Sequence, residues 1–348
     1  MKTLKKALSL CLLYGTMLLP TPVAAGEKSF ASWLKNVRRE AVAQGIDPAI
    51  IKAALPDTLQ PVAHVVRLDR KQPETPQNIE DYLKMMVTHG RIKTGREKIR
   101  ENQQLMHDIS AAYGVEPEVY TALWGMETSY GKNTGKFNVA AAAATLAYEG
   151  RRGTYFKGEL FSALRIMEQE HIAPADLKGS WAAAMGQVQF MPSTYLGYAV
   201  DFDKDGRRDI WTNKADVLAS GARYVHAIGW KKGEKWGERV TLPAHFNRAL
   251  LGMDKTHALA FWRGKGIKIA AEGASPTASV VQPGGAGTQT FIVYDNARAL
   301  MKWNNSFSFA ASVGTLADSL KIRSHKLFLL LTLPIFNFKE ENHDGRNI

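Results

Sequence analysis

The chain has 348 residues, 45% of them hydrophobic and 22% charged. That is enough to bury a substantial core, in one large domain with subdomains or in two domains, and it excludes a disordered or fibrous protein. A formal charge of +12 points to anionic partners, and the single cysteine excludes a disulfide framework.

The first elements in chain order are those of an export signal. Lys2, Lys5 and Lys6 precede an apolar run from Ala7 to Leu19, followed by the small residues Val23, Ala24 and Ala25. This pattern predicts a signal peptide over residues 1–25, cleaved after Ala25. The run is short for a bilayer and is followed by Pro20 and Pro22, which argues against a membrane anchor. Cys11 lies inside the run behind Leu10, so lipid anchoring at Cys11 is not expected. The mature protein is therefore expected in the periplasm, without disulfides. An exported basic chain has anionic lipid headgroups or the carboxylate-bearing cell wall as partners; nucleic acid is not expected.

Residues 26–115 carry helical signals throughout, in "FASWLKNVRREAVAQG", "DPAIIKAAL" and "NIEDYLKMMVTHGRIKTGREKIRENQQLMHDISAAYG". In the next segment, "ALWGMETSYGKN", Pro117 can open a helix and Gly131 can close one. Val119, Tyr120, Leu123, Trp124, Glu127 and Tyr130 then share a side, so Glu127 falls on the apolar face. Either it is a partly exposed acid at a helix end, or it is a carboxylic acid kept protonated by desolvation and able to donate a proton near neutral pH.

Further along, "GSWAAAMGQVQFMPSTY" brings Gln187 and Gln189 together beside Phe190 and Tyr195. Such a group can hydrogen-bond a sugar and offer it apolar faces, or it can be an ordinary helix-to-loop turn. A helix is predicted from Asn213 to Ile228. After Trp230, "ERVTLP" and "FIVYD" read as short strands, and "AAEGASPTASVVQPGGAGTQT" reads as a flexible loop. Residues 321–348 form an atypical tail whose apolar stretch, Leu327 to Phe336, is too short to span a membrane. The tail has no functional reading.

Taken together, "WGMETSYG", "EGRRGTYFKGEL", "LKGSWAAAMGQVQFMPSTY", "YAVDFDKDGRRDIW" and "YDNARALMKWNNS" resemble the lytic murein transglycosylase B family, in order from about Phe30 to Leu320. The resemblance implies a mainly α fold: a lysozyme-like helical core over 116–230, an additional N-terminal helical region over 26–115, and a small irregular, partly β subdomain over 231–320 that completes the cleft. It places the catalytic glutamate at Glu127, acting first as acid on the glycosidic oxygen between N-acetylmuramic acid and N-acetylglucosamine, then as base on the muramyl O6 hydroxyl. The product would be a 1,6-anhydromuramyl end, and the substrate's 2-acetamido group would replace the second carboxylate that ordinary glycosidases need.

By the same resemblance, Arg151 and Arg152 lie near the cleft, where guanidinium groups could bind peptidoglycan carboxylates, although they also read as solvated surface. Ser180, Gln187 and Asn304 match polar cleft positions. Trp303 stands where tyrosine is common; it would keep a stacking platform and lose a hydroxyl hydrogen bond. No cofactor is expected for catalysis, the glycan strands of peptidoglycan are the expected partner, a monomer is expected, and envelope protein partners are left open.

In "DFDKDGRRD", Asp201, Asp203 and Asp205 alternate ahead of Gly206, and the Arg207 carbonyl and Asp209 follow, as in an EF-hand-type calcium loop. Thr212 occupies the position where a bidentate carboxylate belongs. A structural Ca2+ site is expected, the alternative being a weak site in which Asp209 caps the turn. Two rival functions remain: a hydrolase using water on the same fold, and a wall-binding protein without turnover.

Overall fold

The computed structural model describes residues 29–71, 78–149, 151–270 and 275–321. The expected signal peptide and all but the first residue of the expected tail lie outside the described residues. Six helices come first: α1 (Phe30–Ala43), α2 (Pro48–Ala54), α3 (Ala63–Arg70), α4 (Ile79–Met86), α5 (His89–Glu101) and α6 (Gln103–Tyr113). The long helical stretch around residue 90 is cut where side chains compete for the backbone: Thr88 Oγ1 accepts the Arg91 N–H at 3.2 Å and starts α5 as its N-cap.

Next come α7 (Pro117–Thr128), β1 (Phe137–Asn138), α8 (Val139–Tyr148), α9 (Gly153–Gln169), β2 (Lys178–Gly179), α10 (Pro192–Tyr198) and α11 (Lys214–Ala227). Proline at the first position opens both α7 and α10, where its missing N–H costs no hydrogen bond. The helix predicted from Asn213 to Ile228 is α11 with those two residues as its caps, Asn213 Oδ1 accepting the Ala215 N–H at 2.9 Å.

The last part holds β3 (Gly237–Val240), β4 (His257–Ala258), α12 (Leu259–Gly264), β5 (Thr277–Val281), β6 (Thr290–Val293), α13 (Asp295–Trp303) and α14 (Phe307–Leu320). Strands β3, β6, β5 and β4 form an antiparallel sheet in that order, with Val280 opposite Ile292 and Glu238 opposite Ile292 on the other side. Strand β5 corrects the expectation of a flexible loop. Its sequence TASVV was hidden among Gly, Pro and Ser, yet Ala278, Ser279, Val280 and Val281 are all buried because both faces of the sheet are covered. Along β6 and just beyond it the side chains alternate: Phe291 and Val293 join the main core, while Ile292 and the following Tyr294 join a smaller one around Trp262.

The expected boundaries at 116 and 231 are not breaks in packing. One continuous apolar cluster runs from Phe30 and Leu34 through Leu123 and Leu164 to Leu316 and Leu320. Helices α13 and α14 therefore belong with the helical core, not with the small sheet unit, and α14 packs along α7. Each fully buried leucine, valine or phenylalanine in such a core contributes about 1.5–3 kcal/mol. No helix among the described residues is long and apolar enough to cross a membrane.

Close packing of α14 makes one glycine indispensable. A Cβ at Gly314 would stand 2.4 Å from the Trp236 ring, whereas one at Gly158, in the middle of α9, would meet nothing within 4 Å. Gly314→Ala is expected to destabilise the fold by about 1–3 kcal/mol, and Gly158→Ala to stabilise it by up to about 1 kcal/mol. Denaturant unfolding of both variants measures this; equal effects would contradict the packing described.

Candidate active site

Helix α7 is buried almost all round, from Val119 to Met126 and again at Thr128, so it is a central core helix rather than the one-sided helix the sequence suggested. It also ends earlier than Gly131. Ser129 and Tyr130 take left-handed backbone angles, φ 51° and 62°, followed by Gly131 at 85°. Two such non-glycine residues in succession are strained. Packing holds them: the Tyr130 hydroxyl donates to the Arg91 carbonyl at 2.7 Å, and the Tyr130 ring meets Trp124 edge-on at 5.5 Å. The abrupt stop leaves Glu127 in the last turn of the helix, partly exposed but densely surrounded by protein atoms.

Burial pushes the Glu127 carboxyl from its ordinary 4.5 up to about 7, against the pull of one hydrogen bond from Trp303, whose Nε1–H donates to Oε1 at 2.7 Å. The structure thus favours the second of the two sequence readings, an acid that keeps its proton well above the ordinary carboxylate range. Trp303 corrects another expectation. Beyond offering a ring, it donates a hydrogen bond of its own from the indole N–H to Glu127, while the ring packs on Tyr224 and Phe190 with centroids 5.1 and 5.6 Å away.

Gln187 is a strut. Its Oε1 accepts the Trp124 indole N–H at 2.8 Å, its Nε2 donates to the Trp211 carbonyl at 2.7 Å, and its own carbonyl accepts the Thr128 hydroxyl at 2.7 Å. The 186–190 turn is thereby pinned to the end of α7. A Cβ at Gly131 would lie 2.1 Å from Gln187 Oε1, so glycine is required there by space as well as by φ. Gln189, itself left-handed at φ 50°, donates from Nε2 to the carbonyls of Gly186 at 2.9 Å and Thr134 at 3.2 Å. The amide donors of these two glutamines are thus occupied internally.

Phe190 and Tyr195 are corrected from sugar-facing rings to core residues, 2% and 0% exposed. Phe190 backs Trp303, and the Tyr195 hydroxyl donates to the Arg208 carbonyl at 2.8 Å. Ser180 is half-buried and accepts the Ala184 N–H at 3.1 Å, and Asn304 is the exposed C-cap of α13. Arg151 and Arg152 are exposed just before α9, yet tethered: Asp69 of α3 accepts from Arg151 at 2.6 Å and lies 3.7 Å from Arg152, which also sits over the Phe156 ring.

Carboxylate oxygens of Asp201, Asp203 and Asp205 lie within 4.8 Å of one another, a spacing that suits one hard cation. Asp209 does not join them. It accepts the N–H groups of Trp211 and Thr212, both at 2.8 Å, and the Thr212 hydroxyl, so Thr212 both removes a ligand and diverts Asp209 into the turn. Sequence reasoning missed Asp216, which is buried in α11 and accepts the N–H groups of Phe202 and Asp209 at 2.7 Å each, tying both ends of the loop to the helix. It missed Asp69, Tyr224 and Tyr82 of α4 as well; the Tyr82 hydroxyl is pushed upward by burial and then by the charge of Glu127.

Since the Glu127 carboxyl titrates higher folded than unfolded, the folded state holds its proton between pH 4.5 and about 7 while the unfolded chain releases it. Stability from this group is full below 4.5 and declines as pH rises to about 7. Glu127→Gln carries no such penalty. It is expected to be more stable than the wild type by about 2–3 kcal/mol at pH 8, with the gap closing as pH falls through that window. Thermal unfolding across pH checks this; a gap independent of pH would contradict a buried, raised carboxyl.

Residues 29–318 match the family model of the transglycosylase SLT domain. The membrane-bound lytic murein transglycosylase B of Escherichia coli K12 is 39% identical over 155 residues, 44% of this chain and 43% of that protein, so the match spans less than half of the curated relative. Among solved structures, SltB3 of Pseudomonas aeruginosa in complex with NAG-anhNAM-pentapeptide superposes with a TM-score of 0.79 at 39% identity, covering 84% of this chain and 80% of that one. Escherichia coli lytic transglycosylase Slt35, in complex with calcium, does so with a TM-score of 0.73 at 29% identity, covering 82% and 92%. The expected mainly α fold with a lysozyme-like core and a small, partly β part is thus borne out, the strands forming small antiparallel sheets. With its match running from before α1 to within the last turn of α14, this chain belongs to the transglycosylase SLT domain family.

Proposed function

We propose that this protein is a periplasmic lytic transglycosylase that cleaves the glycan strands of peptidoglycan, with Glu127 as its acid and base. The observation that carries the reading is the Glu127 carboxyl in the last turn of α7, raised to about 7 by burial and held by the Trp303 indole N–H at 2.7 Å. Protonated Glu127 gives its proton to the glycosidic oxygen as the C1–O bond breaks, and the 2-acetamido oxygen of the muramyl unit takes the bond to C1. The resulting glutamate then removes the O6 proton as O6 attacks C1 and expels the acetamido oxygen. Glu127 ends protonated, and no water is consumed.

A hydrolase of the ordinary kind needs a second carboxylate at a set separation. The acids near the arginine pair are committed elsewhere: Glu149 pairs with Arg70 at 2.9 Å, and Asp69 with Arg151. Arg151 and Arg152, held in common by Asp69, are suited to carboxylates of the stem peptides. Mass spectrometry of sugars released from purified peptidoglycan tests the reading. Anhydromuramyl ends are expected from the wild type and none from Glu127→Gln; reducing muramyl ends would mean hydrolysis, and no product from folded wild type would mean a binding protein.

Structural calcium is part of the same proposal. The three carboxylates of Asp201, Asp203 and Asp205, with the Arg207 carbonyl, would hold it, while Asp209 would act from within the turn; binding would be weak because Thr212 supplies no carboxylate. Millimolar Ca2+ is expected to raise the melting temperature of the wild type and to leave Asp203→Asn unmoved. Calorimetry with and without a chelator would reject the proposal if both proteins responded alike.

A further inference from the structure

We propose that Trp303 is a positioning residue that decides which oxygen of Glu127 carries the exchangeable proton. This rests on the reading of Glu127 as acid and base. An indole N–H can only donate a hydrogen bond, unlike a hydroxyl, which can also accept. It faces Oε1 at 2.7 Å. In a protonated carboxyl group the carbonyl-type oxygen is the better acceptor, so the contact is kept in both protonation states when the proton leaves from and returns to Oε2. Oε2 is then the oxygen that serves the glycosidic oxygen first and the O6 hydroxyl second.

The donor is held still. Trp303 is the last residue of α13, whose Ala297, Ala299 and Leu300 are buried. Its ring packs on Tyr224 of α11 and on Phe190 ahead of α10; these two meet edge-on at 5.5 Å, and Tyr224 packs on Tyr198 at 4.6 Å. Three separate parts of the chain thus fix one N–H.

Other ionisable groups around α7 do not take over this role. Tyr82 on α4 feels the Glu127 charge but donates no hydrogen bond to it among the described residues. Arg91 on α5 is turned to the Met86 carbonyl and the Met126 sulfur. Tyr130 donates to the Arg91 carbonyl. On α14, Asp318 is taken by the Trp236 indole and Lys321, and on α6 His107 and Asp108 face each other. On α11, Asp216 is committed to the Phe202 and Asp209 amides, and Arg223 reaches toward the Ala199 carbonyl.

The test is Trp303→Phe, which keeps an aromatic ring and removes the donor, assayed on a soluble tetrasaccharide-peptide fragment of peptidoglycan. The kcat is expected to fall at least about tenfold with KM within about twofold. The alkaline limb of the pH profile moves to higher pH, because the lost hydrogen bond favoured the carboxylate. Trp303→Tyr, whose hydroxyl can donate, is expected to recover part of the loss. An unmoved pH profile, or a rise in KM alone, would overturn the inference and leave Trp303 a sugar platform.

Nuclear magnetic resonance gives a readout that needs no turnover. The Trp303 indole N–H signal is expected to titrate with Glu127 near pH 7 and to become flat in Glu127→Gln. A flat signal in the wild type sinks the inference. Absence of anhydromuramyl products with a titrating signal sinks the functional reading alone.

Discussion

A carboxyl group enclosed by protein sets the terms for the rest of the molecule. Glu127 holds its proton well above the ordinary carboxylate range only because α7 is buried on nearly every side, and α7 is buried because α5, α6, α11 and α14 pack against it. The core is thus the source of the acidity as well as of stability. Exposing the end of α7 would lower the carboxyl toward its ordinary range and leave it ionised at neutral pH.

Keeping the carboxyl in place requires the chain to turn away sharply after Thr128. Ser129 and Tyr130 accept left-handed angles that cost of order 1–3 kcal/mol each, and Gly131 brings the backbone against the Gln187 amide. Gln187 in turn links Trp124, Thr128 and Trp211, so the 186–190 turn and the segment entering α11 are registered to α7 by hydrogen bonds. The polar residues that looked like sugar ligands are largely the frame in which the acid sits. Arg151, Arg152 and Asn304 are the ones left exposed to solvent.

The acidic loop follows the same logic at a distance. Asp216 is buried and accepts two backbone amides, closing the loop before any cation is considered. Burial, opposed by those two amides, pushes its carboxyl up to about 6. Thr212 turns Asp209 inward, which leaves three aspartates facing one another across the loop.

Local rules written into consecutive residues were legible without a structure: the Pro117 start of α7, the Asn213 cap of α11, the alternating aspartates before Gly206, and the position of Glu127 on an apolar helix. Motif order likewise indicated the family. Long-range partners were not legible, because nothing in the local pattern records them. Trp303 and Glu127 are 176 residues apart, Gln187 and Trp124 63, and Arg151 and Asp69 82. Strand β5 was masked by its composition, since a short apolar run becomes a strand only when β6 and two cores cover it. The sequence by itself determined which carboxyl lies on an apolar helix face within the family's motif; only tertiary packing decided its burial, the indole that touches it, and so how readily it ionises.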